Sequence, residues 1–161
     1  MTQLSRNLQR RGKQGAVYFI APEAVLFRKE PDLRRVKIGF TTGRPSARLN
    51  ALQTGSPVTL ELLGWFRADK VVESYLHQTF APLQSHGEWF YVERKLQDFL
   101  CYFDDLPPLS REVPEAVLDA AVSDVLLAEC SSHPSMSDED YLDSAKPQHL
   151  QPWLCARWGA S

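Results

Sequence analysis

Two short runs set what the front of this chain can become: GAVYFIA at residues 15–21 and RVKIGFT at residues 35–41. Both are rich in β-branched and aromatic side chains, which suit a pleated, half-buried surface, and each predicts a strand. The stretch between them, PEAVLFRKEPDLR (22–34), is charged and bounded by prolines, so it predicts a loop or a hairpin excursion. A strand, a loop and a strand at this spacing favour an antiparallel pair.

Helices then alternate with strands. In TTGRPSARLNALQTGSP (41–57), Pro45 suits a first helical turn, because the N–H it lacks has no partner there anyway. Gly55 is a plausible stop and Pro57 prevents resumption. Leu49 and Leu52 lie three apart and predict an inward face, with Arg48 on its flank. VTLELLGWF (58–66) predicts a third strand. Asp69 is placed to cap a helix over 70–81, whose core stripe is Val72, Leu76 and Phe80. Glu73 and His77, four apart, share a neighbouring stripe. GEWFYV (87–92) predicts an aromatic strand or packed segment after a glycine turn, with His86 in the loop before it. ERKLQDFLCYF (93–103) predicts a helix.

DDLPPLS marks a boundary, and PEAVLDAAVSDVLLAEC beyond it predicts an amphipathic helix. The organisation expected is therefore a flexible basic arm over 1–14, a small α+β domain over 15–103, and an acidic helical extension over 104–161. In that domain a central three-stranded, mainly antiparallel sheet is flanked by helices. At 161 residues the chain is long enough for one such domain with an appendage.

Charge divides at the same boundary. Residues 1–103 hold 15 Lys and Arg against 9 Asp and Glu, a balance of +6, whereas residues 104–161 hold 3 against 11, a balance of −8. A basic front half suits a polyanion or an ordinary solvated surface. No run reaches the ~18 apolar residues of a membrane span. The basic N-terminus lacks the apolar stretch of a secretion signal, so the sequence points to the cytoplasm and to no membrane partner. Cys101, Cys130 and Cys155 are far apart, which argues against a disulfide framework or a metal knuckle.

Five fragments in order carry a resemblance. AVY (16–18), KIG (37–39), the helix arginine Arg48, VESYLHQTF (72–80) with Glu73, and the ending GEWFYV resemble the GIY-YIG nuclease superfamily. The LQTGSP turn and that ending are similar to its compact phage and bacterial branch. The resemblance implies a metal-dependent endonuclease that hydrolyses DNA phosphodiesters. Tyr18 would polarise or deprotonate the attacking water, Arg48 would bind the phosphate, and Glu73 would hold Mg²⁺ or Mn²⁺. Lys37 and His77 would join the catalytic set, and Arg35, Lys37, Arg44 and Arg48 would contact nucleic acid.

The chemistry suits these residue types. Phosphodiester cleavage concentrates negative charge on phosphorus, which calls for cations and an activated oxygen. Magnesium keeps most of its waters and needs few protein ligands. A guanidinium is a planar fork that stays protonated. A free phenol has a pKa of about 10, so a metal or the arginine would have to lower Tyr18 for it to act as a base. His77 could move a proton, contact phosphate or bond to Glu73. Gly39 would allow close backbone approach, and Glu88 fits a structural role or one near the metal.

The sequence also departs from the pattern. Lys37 replaces the second tyrosine, no asparagine follows near Glu88, and the 18 residues between Tyr18 and Lys37 exceed the usual loop. That loop, with Arg28, Lys29, Arg34 and Arg35, could grip a backbone or be decoration. Two further readings follow. One is a nucleic-acid-binding module that kept the fold and lost turnover. The other is an interaction module in which residues 104–161 cover the basic face, dock a protein partner or support a homodimer. A third possibility for that tail is a helix that simply completes the core. No separate zinc finger or helix-turn-helix is expected after the domain.

Overall fold

The structure is a computed structural model and describes residues 15–127. β1 (Gly15–Pro22) is an interior strand of an antiparallel sheet, paired with β2 (Arg35–Thr41) on one side and β3 (Leu60–Ala68) on the other. The expected antiparallel β1–β2 pair is present, with Tyr18 opposite Gly39. The sheet is larger than expected. A hairpin of β4 (Gln84–His86) and β5 (Trp89–Tyr91) extends it beyond β2, giving five strands in the order β3-β1-β2-β5-β4 rather than three. His86, expected in a loop, is therefore in a strand. Both added strands are three residues long, too short to show an alternating pattern. Gly87, at φ 52°, turns the hairpin in a conformation that side chains disfavour.

Among the described residues, four helices follow the apolar spacing. α1 spans Pro45–Thr54, α2 Lys70–Thr79, α3 Arg94–Cys101 and α4 Glu115–Ala121, which runs on into a π turn at Val122–Leu126. Pro45 opens α1, as its missing N–H allows. Asp69 stands at the N-cap of α2 without a side-chain cap bond; its backbone carbonyl accepts from Val72 instead. The excursion at 22–34 holds two short 3₁₀ turns, Val25–Phe27 and Pro31–Leu33.

The two sheet faces are covered differently. On one, Val17, Phe19, Ile38 and Phe90 pack with Val72, Leu76 and Phe80 from α2 and its end, Leu96 and Phe99 from α3, and Leu118 and Ala121 from α4. The helix at 115–121 is thus part of this core. Phe103 joins it edge-on to Phe19 at 5.2 Å and to Phe99 at 5.3 Å. On the other face Tyr18, Ile20 and Leu60 are covered by Leu49 and Leu52 of α1, with Val58, Leu62, Trp65 and Trp89 around them.

The free edge of β3 is protected locally. Trp65 N–H donates to Arg111 O at 3.0 Å, and Val113 N–H donates to Trp65 O at 2.8 Å. The chain over 110–113 thereby occupies groups that an open edge would expose. Residues 1–14 and 128–161, which include the expected arm and most of the expected acidic extension, lie outside the described residues.

Candidate functional site

The alternation of β1 and β2 places the site. Tyr18, on the thinly covered face, sits opposite Gly39, and its ring lies over that glycine. A Cβ at Gly39 would stand 2.5 Å from Tyr18 Cζ and 2.9 Å from Cε2, so only glycine leaves room for the phenol. Two residues earlier on β2, Lys37 pairs with Trp89. There β5 stops pairing with β2, and the backbone of Ile38 is finished by other partners. Ile38 N–H donates to Glu88 O at 3.0 Å, and His77 Nε2–H donates to Ile38 O at 2.8 Å.

Because a carbonyl only accepts, this bond fixes the proton of His77 on Nε2. His77 anchors α2 to β2 in this way, and its ring rests against Phe90 at 5.0 Å between centroids. The same nitrogen stands 4.0 Å from Glu73 Oε1, beyond hydrogen-bond distance. Glu73 does not emerge at the surface with His77 as its helical stripe suggested. Its side chain is 5% exposed, whereas that of His77 is 25% exposed. Lys70 Nζ approaches Glu73 Oε2 at 3.6 Å.

Arg48 and Glu88 complete the group. Arg48 is exposed on α1, and its Nε donates to Thr41 Oγ1 at 3.5 Å. Thr41, which the sequence reading passed over, is buried and also accepts from Gly43 N–H at 3.1 Å. Glu88 forms an ion pair with Lys37 through Oε2 and Nζ. The lysine in the place of the second tyrosine thus arrives with its own counter-ion, from a residue 51 positions later.

The Tyr18 phenol registers this convergence. Burial raises its pKa above the ordinary value, the carboxylates of Glu88 and Glu73 raise it further, and Arg48 opposes them without prevailing. The lowering that a phenolate base would need is absent in this arrangement of side chains, and the phenol is protonated at neutral pH. Tyr18, Arg48, Glu73 and Glu88 therefore share one field, with Lys37 and His77 attached through Glu88 and Ile38. Tyr18 and Glu73 are nearly closed off, and Arg48 is the open member of the set.

Of the two remaining arginines expected at nucleic acid, Arg35 is engaged elsewhere. Arg35 Nη2 donates to Asp32 Oδ1 at 2.5 Å, and its guanidinium sits 5.3 Å over the Tyr91 ring. Arg44 stands at the N-cap of α1, one turn before Arg48.

A family model for the T5orf172 domain matches residues 15–102, more than half of the chain. The chain belongs to the T5orf172 domain family. This is a nuclease-related phage domain family. No curated protein and no solved structure matches the chain significantly. The T5orf172 match runs from β1 to the end of α3, so every residue of the converging group lies within the T5orf172 domain, and α4 lies beyond it.

A divalent ion can be tested against these side chains. Among the described residues no cluster of three or more His, Cys, Asp or Glu could hold a metal. Glu73 alone still suits Mg²⁺ or Mn²⁺, provided substrate phosphate and water supply the other oxygens. A carboxylate this buried also calls for close positive charge, and Lys70 at 3.6 Å supplies it only loosely. The T5orf172 domain here thus fits a one-carboxylate site and no larger cage.

Proposed function

We propose that this protein is a metal-dependent endonuclease of GIY-YIG type that hydrolyses DNA phosphodiester bonds. The observation that carries this reading is the field at Tyr18, where the charges of a guanidinium and two carboxylates from separate parts of the chain act on one phenol seated over Gly39. Arg48, exposed and forked, binds the scissile phosphate and neutralises the charge that grows on it. Glu73 would hold the Mg²⁺ or Mn²⁺ ion, which would supply charge neutralisation and acidify water when bound. Tyr18, kept protonated, orients the attacking water by hydrogen bonding. His77 positions this assembly by tying α2 to Ile38. Lys37 adds positive charge beside the phosphate while paired to Glu88.

The test is nicking of supercoiled plasmid by the full chain with Mg²⁺ or Mn²⁺. Glu73→Gln and Arg48→Ala should each lower the rate by about 10²-fold or more, the scale on which single transition-state contacts act. Equal nicking by wild type and both variants would remove the reading.

One observation favours a second reading, a DNA-binding module without turnover. Lys37 is held by Glu88 and has no free lone pair, and the Tyr18 phenol is pushed away from ionisation. That module would bind DNA in a salt-sensitive way, indifferent to metal, and would nick nothing.

A further inference from the structure

A cleft of about 350 Å³ adjoins the site on the same side of the sheet. Arg44 and Arg67 line it together with Trp65, Leu62 and Leu109, and no carboxylate is among its lining residues. Both arginines are exposed, and neither makes an ion pair among the described residues. Two unneutralised guanidiniums beside one indole and two leucines suit a ligand that is anionic at one end and planar and apolar at the other.

The apolar half is built to receive something. Trp65 is fixed at its ring by Nε1–H donating to Ser110 O at 2.7 Å and at its backbone by the bonds to Arg111 and Val113. The indole is therefore pre-positioned. Leu109 also lines the cleft and is fully exposed.

The position of the cleft decides the ligand. On β1, Ala16 pairs with Arg67 and Tyr18 pairs with Trp65, so the cleft lies one pleat repeat from Tyr18, about 7 Å along the strand. Arg44, at the N-cap of α1, precedes Arg48 by four residues, about 6 Å along the helix axis. With a phosphate held at Arg48, both offsets would lead to the neighbouring unit of the same polymer.

We infer that this cleft binds the nucleotide flanking the scissile phosphate, its phosphate on Arg44 and Arg67 and its base against Trp65 and Leu109. The inference rests on the nucleic-acid reading of the site and adds the path of the strand across β1 and β3. It also draws on Leu109 and Ser110, which lie beyond the matched residues 15–102. Stacking of this kind tolerates any base, so the subsite holds position along the strand rather than sequence.

The experiment is a salt titration of the full chain, in chelator, against a short fluorescein-labelled single strand of DNA read by anisotropy. Arg67→Ala should weaken binding about 5- to 20-fold at low salt and flatten the salt dependence by about one phosphate's worth, ~0.7 in slope for a single strand. Leu109→Asp, at a fully exposed position that folding does not need, should weaken binding about 5-fold or more. Lys95→Ala removes an equal charge from α3, which packs on the opposite face of the sheet, and should have little effect. Arg67→Ala and Lys95→Ala acting alike, or Leu109→Asp binding as wild type does, would overturn the subsite. A wild-type chain that binds no DNA would overturn both this inference and the function above. Binding that follows the expected pattern without plasmid nicking would remove the nuclease reading and leave the subsite standing.

Discussion

On one face of the sheet, Phe19, Phe66, Phe80, Phe99 and Phe103 interlock beneath three helices, with ring centroids 5.2 to 6.2 Å apart. On the other face, Tyr18, Ile20 and Leu60 are covered by a single ten-residue helix whose two leucines are only half-buried. The first arrangement removes nearly all apolar area from water and leaves no room for polar chemistry. The second leaves Arg48 at the surface, bonded to Thr41, and accommodates the Lys37–Glu88 ion pair. The thick face holds the fold together, and the thin face keeps charged groups within reach of a ligand. Glu73 belongs to a helix of the thick side and meets the thin side where β5 leaves β2.

The contrast is most easily broken by stability measurements. Phe99→Ala should cost about 3–5 kcal/mol by chemical denaturation, because a fully buried ring would leave a cavity among three other rings. Leu52→Ala on the thin face should cost about 1 kcal/mol, since solvent already reaches that side chain. Comparable losses at the two positions would mean that the faces contribute alike.

A smaller effect, of the overpacking kind, is expected at Gly39. Gly39→Ala drives a methyl into the Tyr18 ring and should cost about 1–3 kcal/mol. Because the ring lies on the thin face, it can shift toward α1, and the change should fall harder on plasmid nicking than on stability. Loss of folding before loss of nicking would show that the thin face is as rigid as the thick one.

How much of this was legible in the sequence follows from the range of the interactions. The β1–β2 pairing and the helical positions of Arg48 and Glu73 rest on periods of 2 and 3.6, which a single sequence displays. The partner of Lys37 does not, because Glu88 lies 51 residues on and local spacing says nothing about it. Half of the hairpin that delivers Glu88 is legible, since GEWFYV predicts a strand or packed segment and β5 is a strand, but β4 is not, for a related reason. Gln84–His86 is polar and exposed, and its strand character comes from pairing with β5. The depth of Glu73 was likewise hidden, because the helix places the residue on a stripe and only the packing of α2 on β2 decides what covers that stripe. The apolar stripe of α4 was readable, but that it docks on the same core as Phe19 required the fold.

The smallest expected effect concerns pH, and it separates the faces through their titratable rims. On the thick side, burial first and then the carboxylates of Asp98 and Asp104 push the Cys101 thiol up to about 11 from 9.0. Burial and the Asp124 carboxylate, which accepts a 2.7 Å bond from the Tyr102 hydroxyl, push that phenol up to about 12 from 10.0. A group whose pKa is higher in the folded chain is held in its protonated form by folding. Its contribution is fully present below the unfolded value and is lost as pH rises through the folded one. Stability should therefore decline modestly from about pH 9 to 12, and Tyr102→Phe should flatten the part above pH 10. Asp98 obeys the same rule at acid pH. Burial raises its carboxyl above the usual value, so the folded chain is penalised once pH exceeds that value, and Asp98→Asn should stabilise it at neutral pH by less than about 1 kcal/mol. Thermal melts across pH check both. A Tyr102→Phe profile identical to wild type above pH 10 would place the alkaline loss elsewhere, with Tyr18 on the thin face, also shifted upward by burial, as the next phenol to replace.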